Sequence, residues 1–409
     1  MLAARYCWRR RRLLRAISHT KSDLLVLGIE SSCDDTGAAV VRGNGTLLGE
    51  SLQSQTHVHL KAGGIIPTVA SELHERNIEG VVNSAIERSG CDLDDLSLVA
   101  VTTGPGLAFS LRAGVEYAKQ LATRISKPLL SVHHMEAHAL TVRMNHDIPF
   151  PYLVLLISGG HCILATVEGV GHFSRLGQTS DDSPGEALDK VARWLRLDLH
   201  PRVCDLPGGA AVEVLAREGR AERVKLPQVM LHSRCCNFSF SGLKTAARNH
   251  IQAMAAQSGW HGDGPLPGCE DVCASFQQSV TDHLLTRTYR AILYTKGTNI
   301  TQHTKGTNIT HLVVSGGVAR NGYIRSKLQE LGDLTGFRVH FPSPHLCTDN
   351  GVMVAWAGVE TVMSGGCDRV YSVERAGEVD YTPKWPLGQD LSQRVIEQYI
   401  STKKQRVKI

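Results

Sequence analysis

The sequence predicts an α/β protein, on three observations. Short apolar strands alternate with helical segments along most of the 409 residues. One strand–turn–strand design occurs twice, at 24–41 and again at 152–167, so the chain reads as two copies of one β-rich start, each followed by helices. Apolar residues make up 42% of the chain, enough to bury a large core divided between two domains.

The first copy, LLVLGIESSCDDTGAAVV, is an apolar strand, a turn of hydroxyls and carboxylates, and a second strand of small residues. In TVASELHERNIEGVVNSAIERSG, Val69, Leu73, Val81 and Ala85 recur at helical spacing. LSLVAVTTGPG then reads as a strand ending in a Gly-Pro-Gly turn, LRAGVEYAKQLATRI as a helix, PLLSV as a strand and HHMEAH as a helix. The second copy, YLVLLISGGHCILATV, precedes four helical segments: GEALDKVARWL, GGAAVEVLAREG, LKTAARNHIQAM and VCASFQQSVTDHLLTRTYRAIL. HLVVSGG and FRVHFPS read as strands flanking the helix of NGYIRSKLQEL, and DNGVMVAWAGVETVM closes the pattern as a helix. A tandem copy of nine residues at 295–310, rich in Gly, Asn and Thr, predicts a surface insertion. The boundaries expected are a leader at 1–22, domains at 23–150 and 151–363, and a frayed basic tail at 364–409.

The leader holds six Arg, one Lys and no acid, interleaved with apolar residues, as in a mitochondrial transit peptide. A basic arm for nucleic acid is the alternative. Removing its seven positive charges from the net +5 leaves a mature chain near −2, so a polyanionic partner must be held by local basic clusters. No apolar run approaches the roughly 20 residues that span a bilayer. Eleven cysteines with no C-x-x-C pair suggest neither a zinc ribbon nor a redox dithiol, and suit a reducing matrix.

His134 and His138 lie one helical turn apart, so both rings can converge on one metal ion or line a polar groove. Asp349, at the start of the last helix, can cap that helix or ligate a metal. Glycine turns follow strands at TTGPG, LISGG and VVSGG, where amides can approach an anion closely. Neither a Walker sequence nor G-x-G-x-x-G occurs, which disfavours a P-loop or a dinucleotide fold.

GIESSCDDTGAAVV, HVHLKAGGIIPTVASELH, HHMEAH, LLISGGHCILA, GEALDKVARWL, NFSFSGLKTA, VVSGGVARNGYIR and CTDNGVMVAWAG, in that order over about 25–363, resemble the TsaD family. Its members make threonylcarbamoyladenosine in tRNA. The resemblance implies two duplicated actin-like, sugar-kinase-like (ribonuclease H-like) domains with the active site in the cleft between them. It implies one divalent metal ion (zinc, iron or manganese) on His134, His138 and Asp349. It assigns Leu156, Ile157, Ser158, Gly159 and Gly160 to the donor's phosphate and acyl group, and Asp189, Gly209, Glu213, Arg320, Asn321 and Thr348 to nucleotide and substrate. Ser158 would help stabilise charge, and Asp34 or Asp35 would be the base.

The expected reaction moves a threonylcarbamoyl group from threonylcarbamoyl-adenylate, made by a separate synthase, to an adenosine beside the anticodon of mitochondrial tRNA. A homodimer in the mitochondrial matrix, without membrane attachment, is expected. Lys61, Arg76, Lys244, Arg248, Lys403, Lys404 and Arg406 are the basic residues that could meet tRNA phosphates. Three rivals remain: a metallopeptidase, weakened because H-M-E-A-H is not H-E-x-x-H; an ATP-dependent kinase of the same fold; and a non-catalytic nucleotide-gated scaffold.

Overall fold

The computed structural model describes residues 22–62, 64–297, 309–366, 368–398 and 400. The transit-peptide reading, most of the tandem insertion, and Lys403, Lys404 and Arg406 lie outside them. In chain order the elements begin with β1 (Leu25–Glu30), β2 (Asp35–Arg42), β3 (Leu47–Ser54), α1 (Thr56–Lys61), α2 (Pro67–Ser89), β4 (Leu98–Gly104), α3 (Ala108–Arg124), β5 (Leu129–His133) and α4 (His134–Leu140). They continue with β6 (Tyr152–Ile157), β7 (Cys162–Gly169), β8 (His172–Gln178), α5 (Pro184–Trp194), α6 (Gly208–Ala216), α7 (Ser241–Ser258), α8 (Cys269–Gly297), β9 (His311–Ser315), α9 (Gly322–Thr335) and β10 (Arg338–His340). Last come α10 (Gly351–Met363), β11 (Val370–Tyr371), β12 (Gln389–Asp390) and α11 (Ser392–Glu397).

These form two compact units. In the first, a six-stranded mixed sheet runs β11-β5-β4-β1-β2-β3; β1 pairs antiparallel with β2 and parallel with β4, as a hairpin followed by a helical crossover requires. Leu27, Ile29, Val99, Val101 and Leu129 from the central strands meet Ile78 and Val82 of α2 and Val115 and Leu121 of α3 in one apolar cluster. The second unit repeats the plan. Its sheet runs β10-β9-β6-β7-β8-β12, with β6 antiparallel to β7 and parallel to β9. Its core joins Leu153, Leu155 and Ile157 to Leu188, Val212, Leu243 and Phe276 from α5–α8.

The division is not linear along the chain. Residues Thr348–Leu387 pack with the first unit, so the expected second domain at 151–363 loses its last helix. The reason is backbone contact. A Cβ on Gly28 of β1 would lie 2.2 Å from the Ala355 nitrogen and 2.3 Å from the Gly351 carbonyl oxygen, and one on Gly351 would meet the backbone of Ala38 at 2.4–2.5 Å. Glycines let α10 sit directly on β1 and β2. We expect Gly28→Val to lower stability by about 3 kcal/mol, the upper end of overpacking costs, measured as a fall in thermal unfolding temperature. Nor is the region after 363 a frayed tail where it is described: β11 pairs with β5, and Val370, Ala376 and Val379 are buried. Among the described residues no helix is long and apolar enough to cross a membrane, and none of the nine described cysteines is in a disulfide.

Candidate active site

In the first unit β5 ends at His133, and its ring caps α4: Nδ1 accepts from the Met135 amide at 3.1 Å and the Glu136 amide at 3.4 Å. The other ring nitrogen meets the Trp385 carbonyl oxygen at 3.1 Å, so it carries the proton and the cap is locked in one tautomer. The first histidine of the HHMEAH motif is therefore a structural cap. The next two face one carboxylate. His138 Nε2 lies 3.0 Å and His134 Nε2 3.6 Å from Asp349 Oδ1, with the two rings edge to face at 4.8 Å between centroids. One ligand atom from each of these three residues lies within 4.8 Å of the others.

Asp349 does not cap α10. Asn350 does, accepting from the Met353 amide at 2.9 Å, so the aspartate points its charge at the histidines instead. Two nitrogens and one oxygen converge on one point, a donor set that suits a divalent ion and leaves coordination positions open. The electrostatics agree. Burial pushes the His134 ring's pKa down, but the charges of Asp349 and Glu30 outweigh it and lift the value to about 9. Two carboxylates thus call for a positive charge at this ring, which a proton or a metal cation can supply.

Glu30, the last residue of β1, is fully buried behind His134. It accepts from the Ser32 amide at 2.6 Å and the Thr102 hydroxyl at 2.5 Å, and its Oε2 stands 3.4 Å from His134 Nδ1, where Ser32 Oγ also lies at 3.1 Å. This is a carboxylate behind an imidazole whose other nitrogen faces Asp349, the arrangement that orients a ring and raises its basicity in metal sites. Sequence reasoning passed over Glu30; an acid ending an otherwise apolar buried strand was its only signal. We expect Glu30→Gln to weaken divalent-metal binding roughly 10- to 100-fold, read by isothermal titration of the metal-stripped chain.

Asp34 ends the β1–β2 turn of the same unit and Asp35 opens β2. Burial, then the charge of Asp349, raises Asp34; burial, then the charge of Asp34, lifts Asp35 to about 7. Glu136 is buried and taken: it pairs with Arg369 and accepts the Gly171 amide at 2.6 Å. A carboxylate held this way is not poised to activate water, which speaks against the peptidase reading.

In the second unit Leu156 and Ile157 are fully buried strand residues paired with Ile163 and Cys162, so their side chains belong to the core. Ser158 begins the turn proper. Its Oγ accepts from the Gly160 amide at 3.3 Å and the His161 amide at 3.1 Å, two donors already converging on one oxygen. Gly159 and Gly160 are exposed, with open space where a Cβ would sit. The remaining nucleotide candidates stitch helices together. Asp189 Oδ1 accepts the Gly209 amide at 2.9 Å; Glu213 Oε1 accepts the Gly322 amide at 3.0 Å and pairs with Arg217 at 3.1 Å. Asn321 caps α9 by accepting from the Ile324 amide at 3.0 Å while its amide donates to Gln277 at 2.8 Å. Beside them is a cavity of about 430 Å³ lined by Glu213, Arg217, Gln277, Gln278, Gly322 and Tyr323. Arg320 is exposed in the same unit, whereas Thr348 opens the segment that returns to the first. Sequence reasoning missed Gln277, which lies in no quoted motif, and Tyr323, which lies inside VVSGGVARNGYIR without being singled out.

Of the basic residues proposed for tRNA, Arg76 is exposed, Arg248 lies over the Trp194 ring, and Lys244 is paired with Asp182 and so is committed inside the protein.

The model of the TsaD family, described as tRNA N6-adenosine threonylcarbamoyltransferase, matches residues 46–356. That is most of the chain. The chain belongs to the TsaD family. Among its curated relatives, the mitochondrial tRNA N6-adenosine threonylcarbamoyltransferase of Xenopus tropicalis is 48% identical over 91% of this chain and 90% of its own length. The human mitochondrial enzyme of that name is 43% identical over 94% and 91%, and the enzyme of Wolbachia pipientis wMel 41% identical over 88% and 98%. A solved HypF from T. kodakarensis is similar in fold, with a TM-score of 0.52 at 13% identity over 85% of this chain and 49% of that one. This TsaD chain is accordingly a transferase with a duplicated actin-like architecture, and its Xenopus and human relatives carry mitochondrial names.

Proposed function

We propose that the chain transfers the threonylcarbamoyl group of threonylcarbamoyl-adenylate to the N6 amine of the adenosine 3′ of the anticodon. The acceptors are mitochondrial tRNAs reading codons that start with A, and AMP is released. The observation that carries this reading is the convergence of His134, His138 and Asp349 in a chain of this family.

No protein nucleophile is required. The amine nitrogen attacks the activated carbonyl carbon, the carbonyl-to-phosphate oxygen bond breaks, AMP leaves with that electron pair, and the amine gives up a proton. Asp35, held near neutrality, takes the proton, with Asp34 as the neighbouring charge that tunes it. Gly159 offers its amide and Ser158 its hydroxyl to oxyanions of the donor, Gly160 leaves room for their approach, and Asp189, Gly209, Glu213, Arg320, Asn321 and Thr348 serve its nucleotide and substrate contacts. His134, His138 and Asp349 would hold one divalent ion, which supplies Lewis-acid stabilisation of charge on oxygen when bound. The donor comes from a separate synthase, and the enzyme works as a homodimer in the mitochondrial matrix.

The test is to incubate the purified chain with threonylcarbamoyl-adenylate and unmodified tRNA, digest the tRNA and analyse its nucleosides by mass spectrometry. Threonylcarbamoyladenosine with stoichiometric AMP is expected. Donor consumed without modified nucleoside would reject the reading, and ATP turnover on a small molecule without tRNA would favour the kinase.

A further inference from the structure

A second group of metal-ligating side chains lies in the other compact unit and has no part in the chemistry above. His200, Cys269 and Glu270 each present a donor atom, and the three atoms lie within 4.8 Å of one another. They are of three types: an imidazole nitrogen, a thiol sulfur and a carboxylate oxygen. Cys269 is buried, 2% exposed, while His200 and Glu270 are half-buried, so the cluster has an apolar floor and an open side.

The backbone holds these donors in place. His200 ends the single 3₁₀ turn Leu197–Leu199, its amide bonded to the Leu197 carbonyl at 3.1 Å and its own carbonyl accepting from Val203 and Cys204 at 3.0 Å. Cys269 and Glu270 open α8. The two segments are tied together upstream, the Leu266 amide donating to the Leu195 carbonyl at 3.0 Å and the Cys269 amide to the Leu266 carbonyl at 3.1 Å. From the far side Gly219 packs so closely that a Cβ there would sit 1.9 Å from the Glu270 carbonyl oxygen. Asp271 anchors the same turn by accepting from the Arg220 amide at 2.8 Å and pairing with Arg223 at 3.0 Å. Pre-positioned donors on fixed elements are what a metal site needs.

We infer that His200, Cys269 and Glu270 form a second divalent-metal site, of the sulfur–nitrogen–oxygen class that zinc prefers, which clips the start of α8 to the turn after α5. Bond lengths of about 2.0–2.3 Å place tetrahedral donors about 3.5 Å apart, so side-chain rotations of about 1 Å close the trio on an ion. Binding releases the thiol proton to solvent. The His200 ring now accepts a long contact from the exposed Arg202 amide at 3.3 Å, which water can take over when the ring turns to metal. The C-x-x-C spacing by which zinc sites are recognised in sequence is absent because the donors come from segments far apart in the chain.

The site has a signature the first cannot produce, since His134, His138 and Asp349 offer no sulfur. The full chain is stripped of metal and reconstituted with cobalt(II), then with zinc. With cobalt, a near-ultraviolet thiolate-to-metal charge-transfer band is expected in the unmodified chain and in a His134→Ala/His138→Ala variant, and its loss in Cys269→Ser. With zinc, His200→Ala is expected to bind one equivalent fewer per chain by mass spectrometry; this half-buried substitution reads the site even where Cys269→Ser fails to fold. Absence of the band in the unmodified chain, its persistence in a folded Cys269→Ser, or unchanged zinc content in His200→Ala would each overturn the assignment.

Discussion

Asp349→Ala is expected to fold, to lose the divalent ion, and to transfer the threonylcarbamoyl group at least ~10³-fold more slowly, a barrier increase of about 4 kcal/mol. Folding should survive because Asp349 contributes no cap: Asn350 satisfies the Met353 amide, and the Asp349 side chain is 22% exposed. What the variant removes is the one oxygen that both Nε2 atoms face at 3.0 and 3.6 Å. Asn350→Ala is the matched control. It should cost about 1 kcal/mol of stability through the lost cap and leave metal content intact. Metal analysis, a thermal melt and nucleoside mass spectrometry on the two variants separate ligand from cap. An Asp349→Ala enzyme that keeps both ion and activity would remove the basis of the proposed chemistry.

The strands that carry the two hairpins were legible because each is an apolar run broken by a polar turn, and α2 and α3 because their buried residues recur at helical spacing; α8 is buried over most of its circumference and shows instead as a long run without a helix breaker. β3 was not. It lies at the sheet edge, its residues from Glu50 onward are mostly exposed, and LLGESLQS lacks the alternation that marks a half-buried strand. The return of Thr348–Leu387 to the first unit was invisible for another reason: it depends on Gly28 and Gly351 allowing backbone-to-backbone contact, and a lone glycine in a strand does not name its partner. The histidine spacing placed two donors on one helical face, but their meeting with Asp349, 211 positions away, is a tertiary fact supplied by the family resemblance. Glu30 and His133 were missed because their roles rest on what stands behind the ring and in front of the amides, and neither leaves a periodicity. The nucleotide candidates had a reverse problem. Asp189, Glu213 and Asn321 were identified by motif, yet each also makes a hydrogen bond that joins two segments of the second unit. Their substitution should therefore disturb the shape of that unit as well as any contact to a ligand.

The proton acceptor can be separated from the metal by its titration. Asp35→Asn is expected to slow transfer by about 10²- to 10⁴-fold, the usual worth of a positioned base, with metal content unchanged. Its carboxyl is lifted to about 7 by burial first and by the Asp34 charge second, and a base works only when ionised. The rate of the unmodified enzyme must therefore fall as pH drops through an acid limb, which Asp35→Asn abolishes. The limb should lie below pH 7 in the metal-loaded enzyme, because the Asp349 charge that also raises Asp35 is neutralised when a cation faces it. Asp34→Asn makes the sign of the argument explicit. Removing a neighbouring negative charge makes ionisation of Asp35 easier, so the limb moves to lower pH instead of disappearing. Stability runs the opposite way in the metal-free chain. A carboxyl whose folded pKa is raised binds its proton more tightly in the native state, so stability falls as pH rises from about 4 to 7, and Asp35→Asn flattens that decline. Rate–pH profiles and thermal melts of the three chains measure both effects; an acid limb that survives Asp35→Asn unchanged would assign the proton to another group.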